Sequence, residues 1–583
     1  MSEAAYSTSS LRERNAQPYK SMAGKLHPEL LASLDAMSFE YMTPVQEKVL
    51  TGMSDFRADL LVQAKTGTGK TVAFLLPALQ TLLISPYFPP GQVAILVISP
   101  TRELALQIAK ECNQLTSKLS KRIECHTAFG GTARAANMNK FLKGFPTVLV
   151  VTPGRLKDYL TDPKAASKLW DIRTLILDEA DTMLERGFLQ DVKEILKALP
   201  PKREHHWQGM CFSATIPQKI RDVLNTVLDP NYVKISTFDE QDTPTIDTIA
   251  QYCVVMPSVE DTFTTLKSLI DSENDKGAAK IIVFGVTANM VALFANFFSS
   301  GLTTLKVSEL HSRLNQNART RTTDEFKAAT SGIMFASDVI GRGMDFPNVD
   351  LVIQVGLPTS GEQYIHRVGR TGRAGNEGRA VLLLTERESF FPRVNKQLPI
   401  QQHPNQADIV NNRVNYASLI ETAMNQVDEK VKQRAYSAYI GFFAGSGILK
   451  QVRLDKEGLV AMANELAIKG MHCPEPPPME KRIVGKMGLK GVKGFNYATA
   501  DEQPFRTRKQ IQQQSNQPPR TREQNQQQSN QLLRTFTEAA SRTASAGVKK
   551  PAATKTSGTK RGRRRQDRDE ELFRRADQGA PPG

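Results

Sequence analysis

No run of 18 or more apolar residues occurs in the 583-residue chain, so no helix of membrane-spanning length and no membrane partner is expected. The strongest apolar runs, VAILVIS at 93–99 and TVLVV at 147–151, have the length of buried strands. Cysteine is scarce. Its five copies (Cys112, Cys125, Cys211, Cys253, Cys473) are odd in number and never form CxxC, which argues against a disulfide framework and a zinc site and favours a reducing compartment. Wholesale disorder is excluded as well, because 40% hydrophobic and 23% charged residues suffice for a core. Acidic residues are the minority, 60 against 76 basic ones, for a net charge of +16. Residues 501–583 alone hold 18 basic and 9 acidic side chains. A basic tail on a mildly basic body points to a polyanion, nucleic acid first.

Apolar runs alternate with helical stretches over 26–235 (DLLVQA, VAILVIS, TVLVV, TLIL, GMCFS). That alternation predicts a parallel, doubly wound α/β domain. A polar linker is expected at 236–250, then a second α/β domain over 251–405 with KIIVF, TLKV at 304–307, GIMFA, LVIQV and AVLLL as strands. Residues 1–25 read as a flexible, Ser-rich segment that fits a transit peptide weakly. Helical spacing returns within 406–500, where Leu419, Ala423, Val427 and Val431 predict a packing stripe. The same extension ends in a basic stretch with aromatics, Lys481, Arg482, Lys486, Lys490, Lys493, Phe495 and Tyr497. Residues 501–583, rich in Gln, Asn, Ser and Arg, are expected to be a disordered basic tether.

AKTGTGKT at 64–71 follows a strand-like run. It reads as a phosphate loop, Ala64-Lys65-Thr66-Gly67-Thr68-Gly69-Lys70-Thr71. Its glycines let backbone N–H groups approach phosphate, Lys70 brings charge, and the Thr71 hydroxyl suits Mg²⁺. Asp178-Glu179-Ala180-Asp181 follows the strand TLIL. At that strand end Asp178 would face the nucleotide's Mg²⁺, and Glu179 would orient and deprotonate the attacking water. His366-Arg367-Val368-Gly369-Arg370-Thr371-Gly372-Arg373 supplies arginines. Arg367 and Arg370 are candidate fingers for a γ-phosphate across an interdomain cleft. Read alone, the acidic run could be a solvated turn and the arginine run a basic surface turn.

These motifs stand in the order found in the DEAD-box ATP-dependent RNA helicases, which the chain resembles over roughly 26–400. The resemblance implies two tandem RecA-like domains that close on ATP and single-stranded RNA, bending one strand of a short duplex and ejecting the other. Phe39 and Gln46 in FEYMTPVQ look like the adenine-reading motif. PTRELA (Thr101, Arg102), Gly130-Gly131 and TPGR (Thr152, Arg155) look like the first domain's RNA-backbone motifs. Ser213-Ala214-Thr215 resembles the element coupling hydrolysis to strand separation, with Asp181 and His366 as its partners. VFGVT, HSRLNQNART with Arg319, and SDVIGRGMDFP with Ser337 resemble the second domain's motifs, in which Asp345 would contact the ribose. Hydroxyls, arginines and glycine N–H groups suit phosphate oxygens, so the RNA would be gripped by its backbone, not by its bases. The upstream aromatic that the family often carries falls at Ser21-Met22, and Met42 stands where the family commonly has proline.

The helical extension, PMEKRIVGKMGLKGVKGF and the basic tail resemble the fungal mitochondrial subfamily of general RNA chaperones. That implies a monomer in the mitochondrial matrix which remodels single-stranded and structured RNA. Its work would be group I and group II intron splicing and RNA processing or translation, with Lys481, Arg482 and Lys486 widening the RNA surface. Two other readings stay open: an ATP-gated RNA clamp or scaffold, and a nuclear or cytosolic helicase in ribosome assembly, for which KRGRRR at 560–565 is a candidate nuclear address.

Overall fold

The computed structural model describes residues 16–498, except 66, 132, 186–187, 217–220, 239–248, 278, 339–343, 345, 373–376 and 446. Two seven-stranded sheets, parallel throughout, form its frame. The first holds β1 (Leu60–Gln63), β2 (Ile95–Ile98), β3 (Glu124–Ala128), β4 (Pro146–Val151), β5 (Thr174–Asp178), β6 (Gln208–Ser213) and β7 (Val233–Ser236). The second holds β8 (Ile249–Met256), β9 (Lys280–Phe284), β10 (Val307–Leu310), β11 (Gly332–Ala336), β12 (Leu351–Val355), β13 (Gly378–Thr385) and β14 (Gln401–Gln402).

The order across the first sheet is β3-β4-β2-β5-β6-β1-β7, and across the second β10-β11-β9-β12-β13-β8-β14. Element for element the two orders are the same, so the chain repeats one RecA-like topology. Central strands such as β2, β5, β9 and β12 are buried along their whole length, which is why they read as continuous apolar runs.

The strands absent from the sequence expectation, β3, β7, β8 and β14, lie at or beside sheet edges. β3 (ECHTA) is half-buried, β14 has two exposed glutamines, and neither carries an apolar run. β10 departs from expectation too. TLKV at 304–307 contributes only Val307, and the strand runs on through Ser308 and Glu309 to Leu310. Gly301 at φ +95° and a turn in which Leu305 N donates to Thr303 Oγ1 at 3.2 Å occupy the preceding residues. β7 ends at Ser236 and β8 starts at Ile249; of the linker between them residues 239–248 lie outside the described residues, as does everything after residue 498.

The extension shares the core of the second domain. Ala423 and Val427 are buried in it, with Leu419 and Val431 packed alongside, so the predicted stripe is a packing stripe. The helices Gln406–Met424 and Glu429–Gly445 bring Ile409, Ile420, Tyr436 and Ile440 into the same cluster as Ile282 and Leu293. Asn289 Nδ2 bonds to the carbonyl of Arg434 at 2.9 Å. None of the described helices is long and apolar enough to cross a membrane.

Candidate nucleotide and RNA sites

Strand order assigns the chemistry. Across the first sheet, β5, β6 and β1 are adjacent, so the acidic turn after β5, Ser213 at the end of β6 and the phosphate loop after β1 share one half of its carboxyl edge. β3, β4 and β2 make the other half, and after them come Gly130-Gly131, Thr152 and Thr101. Ligands bind beyond such strand ends in open α/β sheets. One edge therefore gathers the expected nucleotide residues in one half and the expected RNA residues in the other, with Asp181 and Ser213 at the nucleotide side of their junction.

In the phosphate loop Gly67 and Gly69 sit at φ +73° and +85°, which only glycine adopts without penalty. Gly69 caps the helix Lys70–Ile84. Ala64 N is tied to the Ser213 carbonyl at 3.0 Å, and Thr68 Oγ1 to the Lys65 carbonyl at 2.8 Å. Lys70 is buried and its Nζ rests on the Ala64 carbonyl at 3.1 Å, inside the loop it would serve. Lys65 lies over the Phe238 ring, and Thr71 is half-buried at the start of the helix. Thr66 and Asp345 lie outside the described residues.

Gln46 is buried, and both ends of its amide are engaged. Its Oε1 accepts from Thr43 N at 2.8 Å and from the Tyr19 hydroxyl at 2.7 Å, while Nε2 donates to the Gly69 carbonyl at 3.1 Å. The expected adenine-reading element and the phosphate loop are thus one unit. Phe39 is half-buried against the core of the first domain. Residue counting missed Tyr19, because the expected aromatic position falls two residues later. Tyr19 is 3% exposed and held by backbone bonds: Tyr19 N to the Glu40 carbonyl at 3.0 Å and Met42 N to the Gln17 carbonyl at 2.8 Å. A proline at position 42 could not donate the second bond, which gives Met42 a structural reason.

Asp178 is 3% exposed. Burial first, then the neighbouring Glu179 carboxylate, push its carboxyl up to about 7 against the pull of Lys70. A carboxylate so placed fits a bound cation, which offsets both penalties. Glu179 is buried with φ +51°. A left-handed non-glycine residue costs on the order of 1–3 kcal/mol and recurs at functional sites. Thr182 Oγ1 reaches Glu179 Oε2 and Asp181 Oδ1, each at 3.3 Å.

Asp181, fully buried, is the hub between the halves. Its N–H donates to Ser213 Oγ at 3.2 Å. Its Oδ2 accepts from Thr215 N at 3.1 Å and Thr215 Oγ1 at 2.9 Å, and lies 3.3 Å from His366 Nε2 of the second domain. Arg367 and Arg370, both buried, are engaged within that domain. Arg367 Nε pairs with Asp338 Oδ1 at 2.8 Å, and its guanidinium lies over Phe284. Arg370 bonds to the carbonyls of His366 and Met344.

The RNA half opens into a cleft between the domains, lined by Thr101, Arg102, Thr152 and Arg155 on one side and Ser312, Arg319 and Asp338 on the other. Thr101 caps the helix Arg102–Thr116 through Leu104 N. Arg102 lies against Gly131, where an added Cβ would stand 2.0 Å from its Nη1. Ser337 is buried at the end of β11. Arg319 forms a 2.6 Å ion pair with Glu103 across the domain gap, both side chains only 5% exposed. Gln316 backs the pair, with Nε2 on Glu103 at 3.2 Å and Oε1 3.4 Å from Arg102 Nη1. Glu103 stands within PTRELA, and its partner is 216 positions away, beyond any local pattern. Lys481, Arg482 and Lys486 are exposed on the helix Lys481–Lys486, which Val484 and Leu489 anchor in the core.

The model of the DEAD/DEAH box helicase family matches residues 43–223, and that of the helicase conserved C-terminal domain matches residues 261–375. An ATP-dependent RNA helicase mss116, mitochondrial, of Aspergillus oryzae is 66% identical over 489 residues, 84% of this chain and 77% of the relative. The chain belongs to the DEAD-box ATP-dependent RNA helicases. A second mitochondrial MSS116 helicase, from Phaeosphaeria nodorum, is 52% identical and covers 84% of this chain and 88% of its own length. Among solved structures, Mss116p bound to ssRNA and AMP-PNP matches with a TM-score of 0.72 at 26% identity, covering 83% of this chain and 97% of that one. The extension belongs to the body of the second domain.

Proposed function

We propose that this helicase acts in the mitochondrion, in the matrix, as a non-processive RNA chaperone that opens short duplexes during group I and group II intron splicing and other RNA processing. The observation that carries this reading is the shared carboxyl edge. There Asp181 touches the Ser213–Thr215 element and His366 of the second domain at once. A change at the nucleotide therefore reaches both the RNA half and the domain contact through one buried carboxylate.

Phe39 and Gln46 would receive adenine, and the loop 64–71 the phosphates. Asp178 and Thr71 would hold Mg²⁺, which when bound supplies neutralisation of phosphate charge. Glu179, oriented by Thr182 at 3.3 Å, would take the proton from water. Arg367 and Arg370 would complete the site from the second domain on leaving their present partners, and Asp345 would meet the ribose. Thr101, Arg102, Gly131, Thr152, Arg155, Arg319 and Ser337 would line the RNA backbone path, extended by Lys481, Arg482 and Lys486. The basic tail 501–583 would tether the enzyme to structured RNA.

ATP hydrolysis with Mg²⁺ should be stimulated strongly by single-stranded RNA and weakly by DNA of the same sequence, because only RNA offers 2′-hydroxyls. Equal stimulation by DNA would overturn the substrate assignment. Exclusion of the tagged protein from mitochondria would overturn the splicing role.

A further inference from the structure

Among the described residues, the aromatic rings that stand exposed are Tyr87, Phe145 and Trp170, at 66%, 53% and 56%. All three lie at one end of the first sheet. Tyr87 lies in the loop before β2, Phe145 directly before β4 and Trp170 before β5, and β4, β2 and β5 are neighbours in the sheet. Lys168 joins the loops: its Nζ donates to the carbonyls of Gly91 at 3.2 Å and Gly144 at 3.0 Å. Gly91 lies beside both Lys168 and Phe145.

We propose that this patch is a second RNA site, which stacks unpaired bases on Tyr87, Phe145 and Trp170 and holds their phosphates with Arg122, Lys168 and Arg173. The proposal rests on RNA being the substrate. Exposed apolar side chains scattered singly are ordinary, but here three exposed rings share one end of the sheet with Arg122, Lys168 and Arg173. The Arg122 guanidinium lies 5.9 Å from the Phe145 ring, and that of Arg173 lies 5.9 Å from the half-buried Phe88. Of the nearby carboxylates, Glu124 is engaged by Arg122, His126 and the Phe145 N–H, and Asp171 stands between Trp170 and Arg173. The centre of a protein interface is depleted of charge, whereas interleaved rings and cations are the chemistry of single-stranded nucleic acid binding.

The patch is not part of the cleft. It lies at the amino ends of β2, β4 and β5, and the cleft residues Thr101, Thr152 and Arg155 follow the carboxyl ends of β2 and β4. The six residues of β4 separate the two by about 20 Å. One RNA has to leave the cleft and pass around the domain to reach both.

The chain has two tryptophans. Trp207 is buried, with its Nε1 bonded to the Pro200 carbonyl, so a change in emission on stacking reports Trp170. Oligouridylate titrated into the full chain without nucleotide should quench that emission, and Trp170→Phe should remove the signal. The double substitution Tyr87→Ala/Phe145→Ala should raise the half-saturating concentration of a long unstructured RNA at least about fivefold, from the loss of stacking. For an RNA of about ten nucleotides, enough to fill the cleft alone, half-saturation and maximal ATPase rate should stay those of the parent. Unquenched emission, or long and short RNA responding alike, would overturn the proposal and leave the patch as a protein-docking face. Failure of any RNA to stimulate the parent would strike the helicase reading instead.

Discussion

Asp178→Asn should stabilise the ligand-free protein at alkaline pH while abolishing its ATPase activity. Burial and Glu179 raise the folded-state pKa of Asp178 to about 7, against about 3.9 in an unfolded chain. The protonated carboxyl is the favoured form in the fold, so its stability is fully present below the unfolded value and falls as pH rises towards 7. Asparagine keeps the shape and never carries the charge. At pH 6 parent and variant should differ less than at pH 8. Over that interval about one pKa unit of penalty accrues, on the order of 1 kcal/mol. In a domain of this size that shifts the melting temperature by roughly 3–5 °C. The assay is thermal unfolding with a chelator at both pH values, followed at pH 8 with ATP and Mg²⁺, where the bound cation should stabilise the parent and reverse the order. A melting difference that is independent of pH, or a parent more stable than Asp178→Asn at pH 8 without ligand, would refute the claim that Asp178 is held ionised at a cost.

Tyr19→Phe removes the hydroxyl from Gln46 Oε1 but leaves Thr43 N in place at 2.8 Å, so no buried acceptor is orphaned. Stability should fall by about 0.5–1.5 kcal/mol, and the KM for ATP should rise while kcat at saturating ATP stays near that of the parent, as steady-state kinetics would show. Gly131→Ala meets Arg102 Nη1 at 2.0 Å and forces alanine to φ +82°, at about 1–2 kcal/mol. The half-saturating RNA concentration should rise in the RNA-stimulated ATPase assay, with RNA-free nucleotide affinity unchanged.

How much of this was legible in sequence follows from distance along the chain. The strands β2, β5, β9 and β12 announced themselves because burial on both faces demands unbroken apolar runs; β3, β7 and β14 did not, since a strand at a sheet edge tolerates polar residues, and β10 lies three residues beyond its expected start. The phosphate loop and the acidic turn were readable because each is short and follows its own strand. Tyr19 was missed because counting assumes a fixed spacing, while a backbone pairing with residues 40–42 sets its real place.

The sequence by itself determined two parallel α/β domains, the nucleotide motifs and the packing stripe of the extension, all of which rest on local periodicity or contiguous residues. Only the tertiary structure decided that β6 lies between the acidic strand and the phosphate-loop strand, that Asp181 meets His366 and Glu103 meets Arg319 across the domains, and that three exposed rings share one end of the first sheet. Those facts depend on strand order and on domain approach. Neither leaves a local pattern, because residues that touch across a sheet or a cleft need only suit each other, wherever they stand in the chain.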